Sequence, residues 1–167
     1  MKVLLHVTVT YHELYGLSLR IVDIDPLYTL GDLARQRMQT IAQLREDGVF
    51  DLNRELGIPE VPQRIAVISS PQAAGYQDFM KELGASPYRF DVTLFGAVMQ
   101  GHGAETSIIG ALDAVADRAE EFDAAVIIRG GGSQSDLSFL NSYLLSFHIA
   151  QFPLPVIAGL GHDKDQS

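Results

Sequence analysis

The sequence predicts an α/β fold, a mostly parallel sheet of about four strands with flanking helices, preceded by an N-terminal β-hairpin and a helix. Three observations carry this expectation. From residue 63 onward, short apolar runs of strand length alternate with longer amphipathic runs of helical period. The runs RIAVIS (64–69) and AVII (125–128) are apolar at almost every position, as strands buried on both faces are. Before them, residues 3–9 and 17–24 alternate with period two and are rich in β-branched residues, the pattern of an antiparallel pair.

Each element has its own local reason. A turn around Tyr15 and Gly16 joins the two strands of the hairpin, and Asp25-Pro26 ends the second. Thr29 is the expected N-cap of a helix reaching about Arg45, with Leu30, Leu33, Ala34, Met38, Ile41 and Leu44 as its apolar stripe. Arg35, Arg37 and Arg45 fall on the solvated side, and Gly48 stops the helix. Residues 53–62 read as a linker stiffened by Pro59 and Pro62. A strand over 64–69 then leads through Ser70-Pro71 to a helix over about 73–83. A second strand over 91–95 precedes a helix over 104–119, with Ile108, Ile109, Leu112, Val115 and Ala116 on one side. The third strand, 125–128, is followed by a helix from Leu137 to about Ala150, and the fourth, 155–158, runs into Gly159-Leu160-Gly161-His162. The arrangement is Rossmann-like, with right-handed crossovers. The expected organisation is a hairpin over 1–25, a helix and linker over 26–62, and an α/β domain over 63–167 that stops short of a covering helix.

Composition narrows the function classes. Hydrophobic residues make up 47% of 167 positions, enough for a core. There is no cysteine, so disulfides and thiolate metal sites are excluded. No apolar run has membrane-spanning length and the first residues do not form a signal peptide, so the expected setting is cytoplasmic. A net charge of -9 argues against a wholesale basic nucleic-acid binder and leaves room for a local basic pocket.

The stretch AVIIRGGGSQSD (125–136) concentrates the chemistry. Arg129 ends a buried strand, and Gly130, Gly131 and Gly132 follow. Ser133, Ser135 and Asp136 are candidate caps for the next helix. A strand passing through a glycine turn into a helix N-terminus is a physical anion site, because amides without intrahelical partners and the positive end of the dipole meet there. In such a sheet, ligands bind beyond the carboxyl ends of the strands. Three segments place polar groups at those ends: Ser69, Ser70 and, one turn into the helix, Asp78; Arg129 with its glycines, Ser133 and Asp136; and His162, Asp163 and Asp165. His162 has the proton affinity for acid–base work near neutrality, and Asp165 is close enough to orient it or to bind a cation. Asp78 also reads as a plain helix-surface carboxylate, and Asp136 as a cap rather than a ligand. His6, His12 and His148 are expected in packing or surface roles, and His102 lies in a loop after the second strand. No histidine pair has HExxH spacing, and neither GxGxxG nor GxxxxGK[ST] occurs, so a dinucleotide or ATP site has no support.

With these residues in view, the sequence resembles the catalytic domain of the exodeoxyribonuclease VII large-subunit family. The matching stretches are PQRIAVISSPQAAGYQDF, IIRGGGSQSDLSFLN and PLPVIAGLGHDKD, and the region from HELYGLSLRIVDIDP to GVFDLN resembles the family's approach to that domain. The resemblance implies exonucleolytic hydrolysis of single-stranded DNA from either end to 5′-phosphorylated products. It implies catalytic roles for Asp78, Arg129, His162 and Asp165. Gly130, Gly131, Gly132 and Ser133 then hold phosphate, with Ser70, Asp136 and Asp163 in support. Asp163 stands where the family has glutamate. Asp78 and Asp165 are the candidate ligands of a divalent cation, Mg²⁺, which the chemistry allows and does not require. The implied partners are single-stranded DNA and small subunits bound through a C-terminal region absent here, with no membrane. On this reading the chain is a fragment that lacks most of the family's OB-fold and is weakly active or inactive alone. The alternative is a non-catalytic module that binds phosphate or a nucleotide at the glycine loop, and a third reading is a scaffold for partner helices.

Overall fold

Residues 4–12, 15–101, 103–129 and 141–160 are described by a computed structural model. The chain divides into two units, residues 1–39 and 40–167. In the first, β1 (Leu4–His12) pairs antiparallel with β2 (Gly16–Asp25), and Gly16 takes a positive φ of 73° that suits a glycine at the turn. A register shift between His6 and Val7 marks a bulge. Val9, Leu17, Leu19 and Ile21 are all more than half exposed, because a two-stranded ribbon cannot cover its own faces. Helix α1 (Pro26–Glu46) starts three residues before the expected cap Thr29, using Pro26 as its first residue, where a missing N–H costs nothing. Its apolar stripe is shorter than expected. Met38 is 72% exposed, whereas Leu44 is buried.

The second unit holds a four-stranded, all-parallel sheet in the order β4-β3-β5-β6. Its strands are β3 (Arg64–Ser69), β4 (Asp91–Gly96), β5 (Ala124–Arg129) and β6 (Val156–Leu160). Residues 159 and 160 were expected in a loop but extend the fourth strand, because Gly159 and Leu160 stay in register with Ile128 and Arg129. Among the described residues its packed helices are α2 (Ala74–Ala85), α3 (Ala104–Ala116) and α4 (Tyr143–Ala150). On one face Ala66, Ile68, Ala125 and Ile127 pack under α3 and α4 through Ile108, Leu112 and Leu145. On the other, Ile65, Val67, Val126 and Ile128 pack under Tyr76, Phe79 and Leu83 of α2. This alternation of side chains to opposite faces explains why β3 and β5 read as continuous apolar runs.

Two helices differ from expectation. Helix α3 ends at Ala116, and a short 3₁₀ turn, Ala119–Glu121, follows before Phe122 turns into the core. The third helix of the α/β unit was expected from Leu137, but α4 begins at Tyr143. Ser142 is extended there (φ -65°, ψ 132°), and its Oγ accepts the Leu145 N–H, so it is the N-cap. The expected caps Ser133, Ser135 and Asp136 lie outside the described residues.

A third, smaller cluster joins residues 44–50 to α4, where Leu44 and Val49 meet Ala150 with Phe50, Tyr143 and Phe147 around them. Asn53 opens the stretch expected to be a linker, yet it clamps the start of β6. Its Nδ2 donates to the Phe152 and Leu154 carbonyls at 3.1 and 2.8 Å, and its Oδ1 accepts the Val156 N–H at 3.0 Å.

Candidate functional site

The strand order sets where a ligand fits. The chain passes from β3 to β4 on one side and then returns to place β5 on the other side of β3. The carboxyl ends of β3 and β5 therefore flank the topological switch point, where such sheets hold their ligands. Ser69 and Ser70 lie at the end of β3, and Arg129 ends β5.

At this edge an open pocket of about 470 Å³ is lined by Ser70, Gln72, Ala73 and Ala74 after β3, by residues 97–100 after β4, and by Arg129. Arg129 is only 4% exposed. In a low-dielectric setting a guanidinium attracts an anion more strongly than a surface arginine does. The first turn of α2 forms part of the rim. Its N-cap Ala73 has no side chain to close the helix end, and no acidic residue occupies its first turn. The backbone amides and positive dipole end of α2 therefore add to the field of Arg129.

The walls are held in place by hydrogen bonds. The buried Ser69 hydroxyl donates to the Ile128 carbonyl at 2.7 Å, and the Ser69 carbonyl accepts the Ala97 N–H at 3.0 Å. One residue thus ties the ends of three strands together. The Val98 N–H donates to Ser107 Oγ of α3 at 2.9 Å, which fixes the loop after β4. Ser70 Oγ donates to Gln72 Oε1 at 3.1 Å, leaving the Gln72 amide NH₂ as a donor at the rim.

Of the residues expected at the site, Arg129 and Ser70 share this pocket. Asp78 does not line it. It is exposed on α2, four residues after Ala74 and on the same helix face, with side chains there leaning toward the helix N-terminus. Gly130, Gly131, Gly132, Ser133, Asp136, His162, Asp163 and Asp165 lie outside the described residues. The register pairs Leu160, the last described residue of β6, with Arg129. His6 and His12 are exposed on the hairpin, and His148 on α4 has its Nδ1 2.9 Å from the Leu144 carbonyl oxygen. His102 is outside the described residues.

Among the described residues no group of three histidine or acidic side chains is arranged to hold a metal ion. Of the two expected ligands only Asp78 is described, and one exposed carboxylate is too few donors for Mg²⁺. No helix among the described residues is long and apolar enough to cross a membrane.

Sequence reasoning missed Ser69 as a tie, Gln72 and Gln100 as rim amides, and the open end of α2. A faint signal for the last lies in PQAAG, where no serine, threonine, aspartate or asparagine stands ready to cap. The others depend on strand order, which the sequence does not spell out.

Comparison with known proteins agrees on one family. Residues 49–167 match the profile "Exonuclease VII, large subunit". An exodeoxyribonuclease 7 large subunit from Deinococcus radiodurans is 39% identical, aligned over 100% of this chain and 41% of that protein. One from Ruthia magnifica is 35% identical over 99% of this chain and 35% of its own length. One from Campylobacter lari is 34% identical over 82% of this chain and 35% of its own length. The chain thus spans 41% or less of the length of these relatives.

Proposed function

The chain belongs to the exonuclease VII large-subunit family, and from that premise we propose that its α/β unit hydrolyses phosphodiesters of single-stranded DNA. The observation that carries this reading is Arg129, a buried guanidinium at the switch point, facing a pocket rimmed by the amide end of α2. Arg129, with the amides of Gly130, Gly131 and Gly132 and with Ser133, holds the phosphate and stabilises the charge that grows on its oxygens. Water attacks phosphorus, the bond to the 3′ oxygen breaks, and that oxygen leaves with a proton, so the product carries a 5′-phosphate. His162, two residues beyond the register partner of Arg129, takes the proton from water or supplies it to the leaving oxygen. Asp78 and Asp165 orient the histidine, with Ser70, Asp136 and Asp163 supporting.

The full enzyme works from either strand end in the cytoplasm, with small subunits held by parts of the large subunit beyond this segment. The test is single-strand cleavage by the complete large subunit assembled with its small subunits. Arg129→Ala and His162→Ala are each expected to lower turnover by about a hundredfold or more. Near-normal rates in both variants would sink the assignment.

A second reading keeps the site and drops the chemistry. The described pocket offers a guanidinium, a hydroxyl and two amides, groups that bind an anion without exchanging protons near neutrality. A nucleotide-binding module of that kind would bind mononucleotide at the loop, and the assembled complex would show no turnover.

A further inference from the structure

We propose that the pocket beside Arg129 takes one unpaired nucleobase of the strand whose phosphate Arg129 holds, and that this insertion selects single strands. The inference rests on the nuclease reading and adds a base subsite to it. Four observations carry it.

The first is position. The pocket lies between the turns that follow β3 and β4, with Arg129 of β5 on its third side. A phosphate at Arg129 therefore has the cavity directly next to it, where the base of the same nucleotide would go. The second is chemistry. Ala73, Ala74, Ala97, Val98 and Met99 give apolar walls, and Gln72 and Gln100 put amides at the rim. A nucleobase has apolar faces and an edge of donors and acceptors. Amide side chains both donate and accept, so such a rim tolerates any base without choosing one.

The third is size. About 470 Å³ falls within the usual range of small-molecule sites and is roomy enough for one base with its sugar. A base stacked and paired in a duplex must first be pulled out, which penalises double strands and spares single ones. The fourth is preorganisation. The Ala97 and Val98 N–H groups are bonded to the Ser69 carbonyl and to Ser107 Oγ, and Gly101 at φ 81° lets the chain turn away at once. The wall stands before any ligand arrives, so little ordering cost opposes binding.

The experiment uses the full-length large subunit assembled with small subunits. Val98 is 54% exposed, so Val98→Trp fills the pocket without disturbing the core. Two single strands of equal length serve as substrates, one with normal bases and one built of abasic tetrahydrofuran units. The wild type is expected to cleave the abasic strand with kcat/KM lower by at least roughly tenfold, the worth of one base contact. Val98→Trp is expected to lower kcat/KM on the normal strand by a similar factor and to leave the abasic strand unchanged. Gln100→Ala, a milder change at the rim, should shift in the same direction, so the test does not hang on one substitution. Equal losses on both strands, no loss on the normal strand, or a wild type indifferent to the missing bases would each overturn the base pocket. Arg129→Ala separates the two levels. If it impairs both strands while Val98→Trp fails to discriminate, only the base subsite falls; if it impairs neither, the nuclease reading falls.

Discussion

Ser69 shows how one buried hydroxyl governs the site. The last register pair between β3 and β5 is Ile68 with Ile127, and beyond it the Ser69 side chain takes over by donating to the Ile128 carbonyl. That carbonyl shares a peptide plane with the Arg129 N–H, so the bond sets the direction in which Arg129 leaves the strand. Ser69→Ala removes one buried hydrogen bond, worth about 1 kcal/mol of stability. Its effect on cleavage is expected to run through Arg129. In a double-mutant cycle on the assembled enzyme, Ser69→Ala should lower turnover in the wild type and change nothing further in an Arg129→Ala background. Additive losses would mean that Ser69 acts only on the fold. At this scale the sequence showed Arg129 plainly, since an arginine between a buried strand and three glycines has few generic uses. Ser69 was hidden, because a serine ending a strand looks the same whether or not a neighbouring strand needs its proton.

At the scale of elements, polar side chains fix how the strands enter the sheet. Asn53 brackets the start of β6, and Asp123 does the same for β3 and β5. Asp123 accepts the backbone N–H groups of Gln63 and Arg64 at 2.9 Å, and its other oxygen takes Arg64 Nε and Nη2 at 3.0 and 2.6 Å. The Arg64 side chain, helped by these backbone amides, holds the Asp123 carboxyl below its ordinary pKa. A lowered folded pKa adds stability that is fully present above the unfolded value of about 3.9 and is lost as pH falls through the folded value. Wild type should therefore melt higher than Asp123→Asn above pH 5, with the gap in Tm closing as pH drops below about 4. A gap independent of pH would show that the ion pair contributes nothing. Strand and helix types were legible from period and apolar runs. The start of α4 was not, since Ser133, Ser135, Asp136 and Ser142 all look like caps, and Ser142 has the Glu105 carboxylate of α3 to bond at 2.9 Å as well as the Leu145 N–H.

For the whole molecule, charge and length point the same way. A net charge of -9 disfavours nucleic-acid binding across the chain's surface as a whole, and the chain spans 41% or less of the length of the relatives compared. On the proposed function, the isolated 167-residue segment is expected to degrade single-stranded DNA weakly or not at all, in contrast to the assembled enzyme. Robust digestion by the purified segment would contradict this.

The α/β class, the parallel strands, the hairpin before them and the place of Arg129 at the end of a buried strand were all legible in the sequence. These follow from local period, burial on both faces and a motif that sits on consecutive residues. The sequence did not reveal that β5 lies beside β3 on the side away from β4, and so which strand ends share a pocket. Only the tertiary structure decided that Ser70, Gln72, Gln100 and Arg129 line one cavity while Asp78 stands a helical turn beyond its rim. Strand order is a choice among long-range pairings of similar local sequence, and packing energy summed over the whole sheet makes that choice.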